Sequence, residues 1–345
     1  MRAFDLGNAP DDFLYGMNHV KESGISCDMI EPQFGKNPIV RDIWKYSIGL
    51  LFDWLEIKFS FTQFLQILKP ASKAEVVIST VDTLGLPLLV CKKLKLISGK
   101  VIFISQGLTN PFENSDIADW KKKYHCRLYK ALLKDADVIV VLGDGAREAM
   151  IEYLSLPKEK IKVIQYGIDQ NFWTTPVYIQ NRESNYVLSV GSDPIRDYTT
   201  LLEALKGVPL KIVSKSLPKQ QTDNLHIDFD YNDAELRALY QNASMVVIPL
   251  KDYSQPSGQS ATLQAMACGV PVIITKTKGF WDPEVIEEFK HCIFVKPGDV
   301  RGLRKVVNEL FENVELGKEL ANNARELVEK KYTSYLFAQR LLELV

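Results

Sequence analysis

Residues 245–275 read MVVIPLKDYSQPSGQSATLQAMACGVPVIIT. The first six, 245–250, form an apolar run rich in β-branched side chains, the pattern of a strand covered on both faces. Asp, Ser, Pro and Gly fill residues 251–258, which predicts a loop. Within 259–268, Leu263, Met266 and Ala267 recur at i, i+3 and i+4, as on the buried side of a helix. Gly269 ends that helix, and residues 270–275 return as a second buried strand. Strand, loop, helix and strand make the repeating unit of a parallel sheet. Ligands of such sheets sit beyond the carboxyl end of a strand, where a helix begins. That place is residues 254–260, whose small side chains admit a ligand to the backbone and whose free N–H groups favour an anion.

The same alternation extends in both directions. Strands are predicted at 186–190, 210–214, 225–229 and 292–295, with helices at 199–205, 233–241, 300–313, 316–331 and 332–345. Upstream, strands are expected at 25–30, 75–80, 101–105, 137–142 and 161–165, and helices at 11–23, 84–96, 115–133 and 145–154. Such alternation implies α/β architecture with doubly wound parallel sheets. Residues 167–182 lack periodicity and read as a linker. A chain of 345 residues exceeds one ordinary core. Two α/β halves are therefore expected, with a site in a cleft between them.

Composition removes several function classes. A hydrophobic content of 46% with 25% charged residues is that of an ordinary globular protein. The formal net charge of −1 argues against nucleic-acid binding through bulk positive charge. Cys27, Cys91, Cys126, Cys268 and Cys292 are scattered, with no CxxC pair to suggest zinc or a disulfide framework. Neither a leader-like start nor a long uncharged apolar run is visible, so a cytoplasmic location is expected. Residues 41–68 stand apart: Trp44, Tyr46, Phe52, Trp54, Phe59, Phe61 and Phe64 lie among few charges. Helical packing on the sheet is the ordinary reading. The alternative is peripheral contact with a membrane or a lipid-linked acceptor, since aromatic rings favour the interface.

The anion expected at 254–260 needs countercharge. Neither an HxxxH nor a DxD motif at a strand end suggests a metal, and no cofactor is expected. Helix N-termini with Arg and Lys are the other means of neutralising a departing diphosphate. Arg196 follows the 186–190 strand in GSDPIR, and Lys215 follows the 210–214 strand. Both fall at strand ends of the same predicted sheet. Ordinarily such residues are solvated surface charges.

PSGQSATLQAMACGVPVIIT resembles the signature of retaining glycosyltransferases with the GT-B fold, in particular family 4. Four other pieces agree in order: IKVIQYGIDQNFW, LSVGSDPIRDYTTLLEAL, DAELRALYQNASMVVIPL and CIFVKPGDVRGLRKVVNEL. The likeness runs from about residue 135 to the end and is weak before it. It implies two Rossmann-like domains: residues 1–168 on the acceptor side, 169–330 holding a nucleotide sugar, and a last helix at 331–345 crossing back. Transfer from a UDP-sugar, ahead of a GDP-sugar, to a glycan or lipid-linked acceptor with retained anomeric configuration would follow. Carried over by position, Ser257, Gly258, Gln259 and Ser260 offer N–H groups to the donor, and Gln264 stands at its ribose. Phe229 and Tyr231 neighbour the base. Gly7 and Asn8 lie in the loop that closes over the diphosphate. Arg196 stands near the family's Lys.

The departures bear on chemistry. Pro256 and Gln264 stand where the family has the two Glu of E-x7-E, so no carboxylate is present there. Ser192 replaces an Arg. Gln106, in ISQGLTN, takes the place of a His, and its amide can bind a hydroxyl but cannot carry a proton. A catalytically silent nucleotide-sugar-binding subunit is the alternative to an active transferase. A non-hydrolysing epimerase is disfavoured for want of carboxylates. Asp82 is read either as an acceptor contact or as a helix cap, and Asp144 as a cap. Lys276, Lys278 and Trp281 are weaker phosphate candidates. His19 and His125 read as packed or surface side chains.

Overall fold

A computed structural model describes residues 9–31, 61–176 and 185–345. The chain divides into two compact units, one of Met1–His19 with Gln165–Gln339, the other of Val20–Ile164 with Arg340–Val345. The division differs from a simple cut near 168: the N-terminal segment clusters with the C-terminal half of the chain.

The Val20–Ile164 unit holds a four-stranded parallel sheet, in the order β1 (Val76–Ser79), β2 (Lys100–Ser105), β3 (Val138–Val141) and β4 (Ile161–Val163). Helices Asp82–Lys93, Asp119–Leu133 and Asp144–Leu154 connect these strands. The core joins Phe103, Ile139 and Val141 of the sheet to Leu89, Leu133 and Met150 of the helices.

The other unit carries seven strands: β5 (Val187–Val190), β6 (Leu210–Val213), β7 (Gln220–Gln221), β8 (Leu225–Asp228), β9 (Met245–Ile248), β10 (Val272–Thr275) and β11 (Ile293–Val295). Their spatial order is β11-β10-β9-β5-β6-β8-β7, all parallel except the antiparallel β7–β8 pair. Every residue of β5, β9 and β10 is buried, which explains their unbroken apolar sequence. The chain winds from β5 outward to β8, then returns to β9 on the opposite side of β5. The strand order therefore reverses between β5 and β9, the point at which open α/β sheets bind ligands.

Several expectations need correction. Residues 25–30 form no strand, and both Ile25 and Ile30 are exposed. Ser26, Cys27 and Asp28 interrupt the apolar run, so neither face can be buried. The helix expected over 11–23 is split into a 3-10 turn at Asp12–Leu14 and a helix at Met17–Glu22. Tyr15 and Gly16 break it with φ of 50° and 76°. A Cβ on Gly16 would lie 2.4 Å from the Ala338 Cβ, so glycine is required for that approach. Asp82 and Asp144 are not caps but the first residues of their helices; Val81 and Gly143 hold the N-cap positions, and no side chain caps either end. Strand β7, only two residues long, has no periodicity to betray it. Most of 41–68, and Gly7 and Asn8, lie outside the described residues.

Candidate functional site

At the reversal point, the loop after β5 meets the loop after β9. Arg196 runs between them and is only 7% exposed. Its guanidinium occupies the space that a side chain would need at either Gly191 or Gly258. A Cβ on Gly191 would fall 2.1 Å from Arg196 Nε, and one on Gly258 would fall 2.9 Å from Nη1. Asp193 Oδ2 stands 3.2 Å from Nε as an ion-pair partner. Neither Nε nor Nη1, however, finds a hydrogen-bond acceptor. A buried donor left without an acceptor is costly, and a charged one more so.

Beside it begins the Gln259–Ala267 helix, whose first residues are aligned by Gly258 in the left-handed region at φ 75°. No side chain caps this helix end. Its orphan N–H groups and partial positive charge add to that of Arg196. Asp193 organises the loop: its Oδ1 accepts from Ser257 Oγ at 3.0 Å and from Ile195 N at 3.1 Å. Arg196 also bridges to Leu250 through the backbone. On the other side, Ser192 Oγ accepts from Lys215 N at 2.8 Å, tying the β5 loop to the β6 loop. The Lys215 ammonium is exposed. The loop after β10 closes this end, with Lys278 N donating to Asp252 Oδ1 at 2.8 Å. Lys276 stands over the Phe294 ring, and Trp281 is buried.

Gly258→Ala is expected to damage this corner twice. The new methyl needs a disfavoured φ and would press on Ile248 Cγ2 at 2.6 Å as well as on Arg196. A stability loss of about 2 kcal/mol, seen as a lower denaturant midpoint, is the expected outcome.

Phe229 and Tyr231 follow β8, next to the β6 end. Lys219 stands over the Phe229 ring at 4.8 Å, and Tyr231 Oη lies 3.1 Å from His226 Nε2. Lys219 also pairs with Asp228 at 2.7 Å and holds its carboxyl down to about 2.

Gln264 lies deeper in the helix and is buried. Its Nε2 donates to Asp12 Oδ2 at 2.9 Å, and Oε1 accepts from Tyr240 Oη at 3.3 Å. Asp12 thereby fastens the N-terminal segment to this unit. The same Oδ2 accepts from Trp173 Nε1 at 2.8 Å, and Oδ1 accepts from Asp169 N at 2.7 Å. Tyr166 donates to the Asp12 carbonyl at 3.0 Å. Burial pushes the Asp12 carboxyl up to about 6, against the lowering effect of its three donors. A little further on, Asp11 Oδ2 accepts from Ser334 Oγ and Asn18 Nδ2 and faces His19 Nε2 at 3.1 Å.

The remaining candidates, Asp82 and Gln106, come together in the other unit, at the carboxyl ends of β1 and β2. Gln106 N donates to Asp82 Oδ2 at 3.3 Å, and Gln106 Nε2 donates to the Thr80 carbonyl at 2.5 Å. His125 is buried and stacked on Tyr129. Among the described residues, no group of three or more His, Cys, Asp or Glu is placed to hold a metal ion.

Sequence reading overlooked Asp193, whose GSDPIR context marks a loop but not its carboxylate's two tasks. Asp12, Trp173 and Tyr240 were also missed. Only the adjacent acids Asp11 and Asp12 hint at them.

Residues 209–327 match the family model of glycosyl transferases group 1. An N-acetyl-alpha-D-glucosaminyl L-malate synthase of Bacillus anthracis is 30% identical over 148 residues, 43% of this chain and 34% of that protein. A glycosyltransferase of Methanocaldococcus jannaschii, itself uncharacterized, is 22% identical over 224 residues, 57% of this chain and 62% of that one. The matched part thus spans less than two thirds of either curated relative. Among solved structures, Anabaena HepE in complex with UDP-glucose superposes with a TM-score of 0.68 at 15% identity, covering 95% of this chain and 88% of HepE. Sucrose-phosphate synthase from Thermosynechococcus elongatus gives a TM-score of 0.69 at 17% identity, covering 93% and 84%. The chain has the GT-B fold, and its C-terminal half carries the group 1 glycosyl transferase match.

Proposed function

We propose that the protein transfers a sugar from a nucleoside diphosphate donor, a UDP-sugar ahead of a GDP-sugar, to a glycan or lipid-linked acceptor, with retention at the anomeric carbon. The observation that carries this reading is the Arg196 guanidinium, buried at the reversal point with Nε and Nη1 lacking acceptors. A diphosphate supplies both acceptors and charge, and the adjoining helix N-terminus supplies N–H donors. The UDP-glucose bound in HepE and the family match support the same donor class.

In this reading Ser257 to Ser260 present backbone N–H groups to the donor, and Phe229 and Tyr231 border the base. As the glycosidic bond to the diphosphate lengthens, the sugar gains oxocarbenium character and the leaving oxygens gain charge. Arg196, the helix N-terminus and Lys215 stabilise that charge, in place of a metal ion. Gln264 holds Asp12, and so ties the N-terminal segment to the donor-side unit. Asp82 and Gln106 receive the acceptor hydroxyls.

Lys215 is exposed, so its share is screened by solvent. Lys215→Ala should weaken UDP binding by less than about 1 kcal/mol, less than removal of the buried Arg196. Equal losses in calorimetric titrations of the two variants would contradict this ranking. Turnover is tested by sugar release from UDP- and GDP-sugars in EDTA. Binding of UDP with release of sugar supports the transferase, whereas dependence on added metal would contradict the proposed neutralisation.

A further inference from the structure

One surface of the Val20–Ile164 unit combines basic, aromatic and aliphatic side chains. Six of the sixteen residues 119–134 are Lys or Arg against a single acid, Asp119, in a protein whose net charge is −1. Tyr129, Leu132 and Leu133 turn the Asp119–Leu133 helix toward the core, with His125 buried alongside them. Its exposed residues are Asp119 at the N-terminal end and then Trp120, Lys123, Tyr124, Arg127 and Ala131, the last five at i, i+3, i+4, i+7 and i+11, one continuous helical stripe. Trp120 is 48% exposed and Tyr124 39%. Among the described residues Lys123 and Arg127 have no acidic partner.

A second element adjoins this stripe. Lys93, at the end of the Asp82–Lys93 helix, donates to the Ala131 carbonyl and to Asp135 Oδ2, both at 3.2 Å. Past it, the chain turns through Lys95 at φ 60°. Leu94 and Leu96 therefore project into solvent, 64% and 53% exposed, with Val90 on the preceding turn also exposed. Aliphatic side chains flanked by lysines thus continue the stripe of aromatic and basic side chains.

From this surface we infer that the protein docks peripherally on a bilayer containing anionic lipid, through Leu94, Leu96, Trp120, Lys123, Tyr124 and Arg127. Lipid is the occupant whose chemistry matches each part. Phosphate headgroups balance the unpaired cations, Trp and Tyr suit the headgroup level, and the leucines reach the acyl boundary. A nucleic acid would match the cations but would leave the leucines in water. The contact inferred is surface adsorption; no helix among the described residues is long and apolar enough to cross a membrane.

The test is co-sedimentation of the full chain with vesicles of phosphatidylcholine alone and of phosphatidylcholine mixed with phosphatidylglycerol. Wild type should partition onto the anionic vesicles, weakly onto the neutral ones, and less at high salt. Lys123→Ala with Arg127→Ala should reduce the anionic partition on the order of 25-fold, about fivefold per basic residue. Leu94→Ser with Leu96→Ser should reduce it while leaving its salt dependence intact. These positions are exposed, so unchanged circular dichroism and UDP affinity would accompany both losses. Failure to partition, equal partition onto both vesicle types, or partition unaffected by either double variant would overturn the inference. Retention on a heparin column without vesicle binding would do the same, and would indicate a polyanion partner instead.

Discussion

Arg196→Ala is expected to lower UDP affinity by one to two orders of magnitude, the loss of about 1.5–3 kcal/mol assigned to a charged hydrogen-bonding group. The size follows from burial. At 7% exposure the guanidinium meets little solvent, and among the described residues Asp193 is its one ion-pair partner. A bound diphosphate would find both unmatched N–H groups already oriented, at little cost in ordering. The same geometry sets the effect on the unliganded protein. Removing the guanidinium breaks its ion pair with Asp193 and empties the space between Gly191 and Gly258, but also removes two buried donors without acceptors, so the stability change should be small beside the loss of affinity. A structural arginine predicts the reverse order. Denaturant unfolding of wild type and variant, beside calorimetric titration with UDP, separates the two: a marked stability loss with intact affinity would assign Arg196 to the scaffold.

Asp12→Ala is expected to destabilise the protein by about 3 kcal/mol, since the Asp169 amide, the Trp173 indole and the Gln264 amide would all lose their buried acceptor. The effect should concentrate in the N-terminal segment, detected as faster amide exchange of residues near Asp12 and faster proteolysis there. Asp12 also predicts a pH dependence. Its carboxyl is raised from 3.8 to about 6 by burial, so between these values the folded protein binds the proton more tightly than the unfolded chain. Protonated Asp12 thus contributes stability that is fully present below about pH 4 and lost as pH rises through about 6. Asp12→Asn should flatten that part of the stability–pH profile. Gln264→Glu would set a second carboxylate against the first, and Asp12→Asn in the same chain should recover part of the loss. If the two changes add without recovery, the contact between these residues does not couple them.

This coupling gives a physical reading of Gln264. In the resemblance drawn from the sequence, the position carries a Glu. Here the residue faces a buried aspartate, and an amide is the group that can donate to it while accepting from Tyr240. Gln264 is matched to Asp12, 252 positions earlier in the chain. Nothing local in QSATLQAMA could reveal that.

What was legible in the sequence was whatever local periodicity encodes. The buried runs at β5, β9 and β10, the helix beginning at Gln259 and the loop between them were all readable, because strands covered on both faces must be apolar throughout. Arg196 and Lys215 could be placed at strand ends for the same reason. Three things were beyond local pattern. The N-terminal segment belongs with the C-terminal half through single contacts of Asp11, Asp12 and His19. The break at Tyr15 and Gly16 answers to Ala338, far along the chain. Whether a strand-end charge is solvated, as Lys215 is, or buried, as Arg196 is, depends on the loop that folds over it. Two glycines 67 positions apart, Gly191 and Gly258, make room for the arginine, and no spacing rule joins them.

The reversal point between β5 and β9 is proposed to bind a nucleoside diphosphate without a metal. The decisive measurement is calorimetric titration of the wild-type protein with UDP, GDP and ADP in EDTA. Saturable one-to-one binding of UDP or GDP is expected to survive the chelator and to be weakened at least tenfold, about 1.4 kcal/mol, by Arg196→Ala. Absence of binding by all three nucleotides, or equal affinity in wild type and variant, would contradict it.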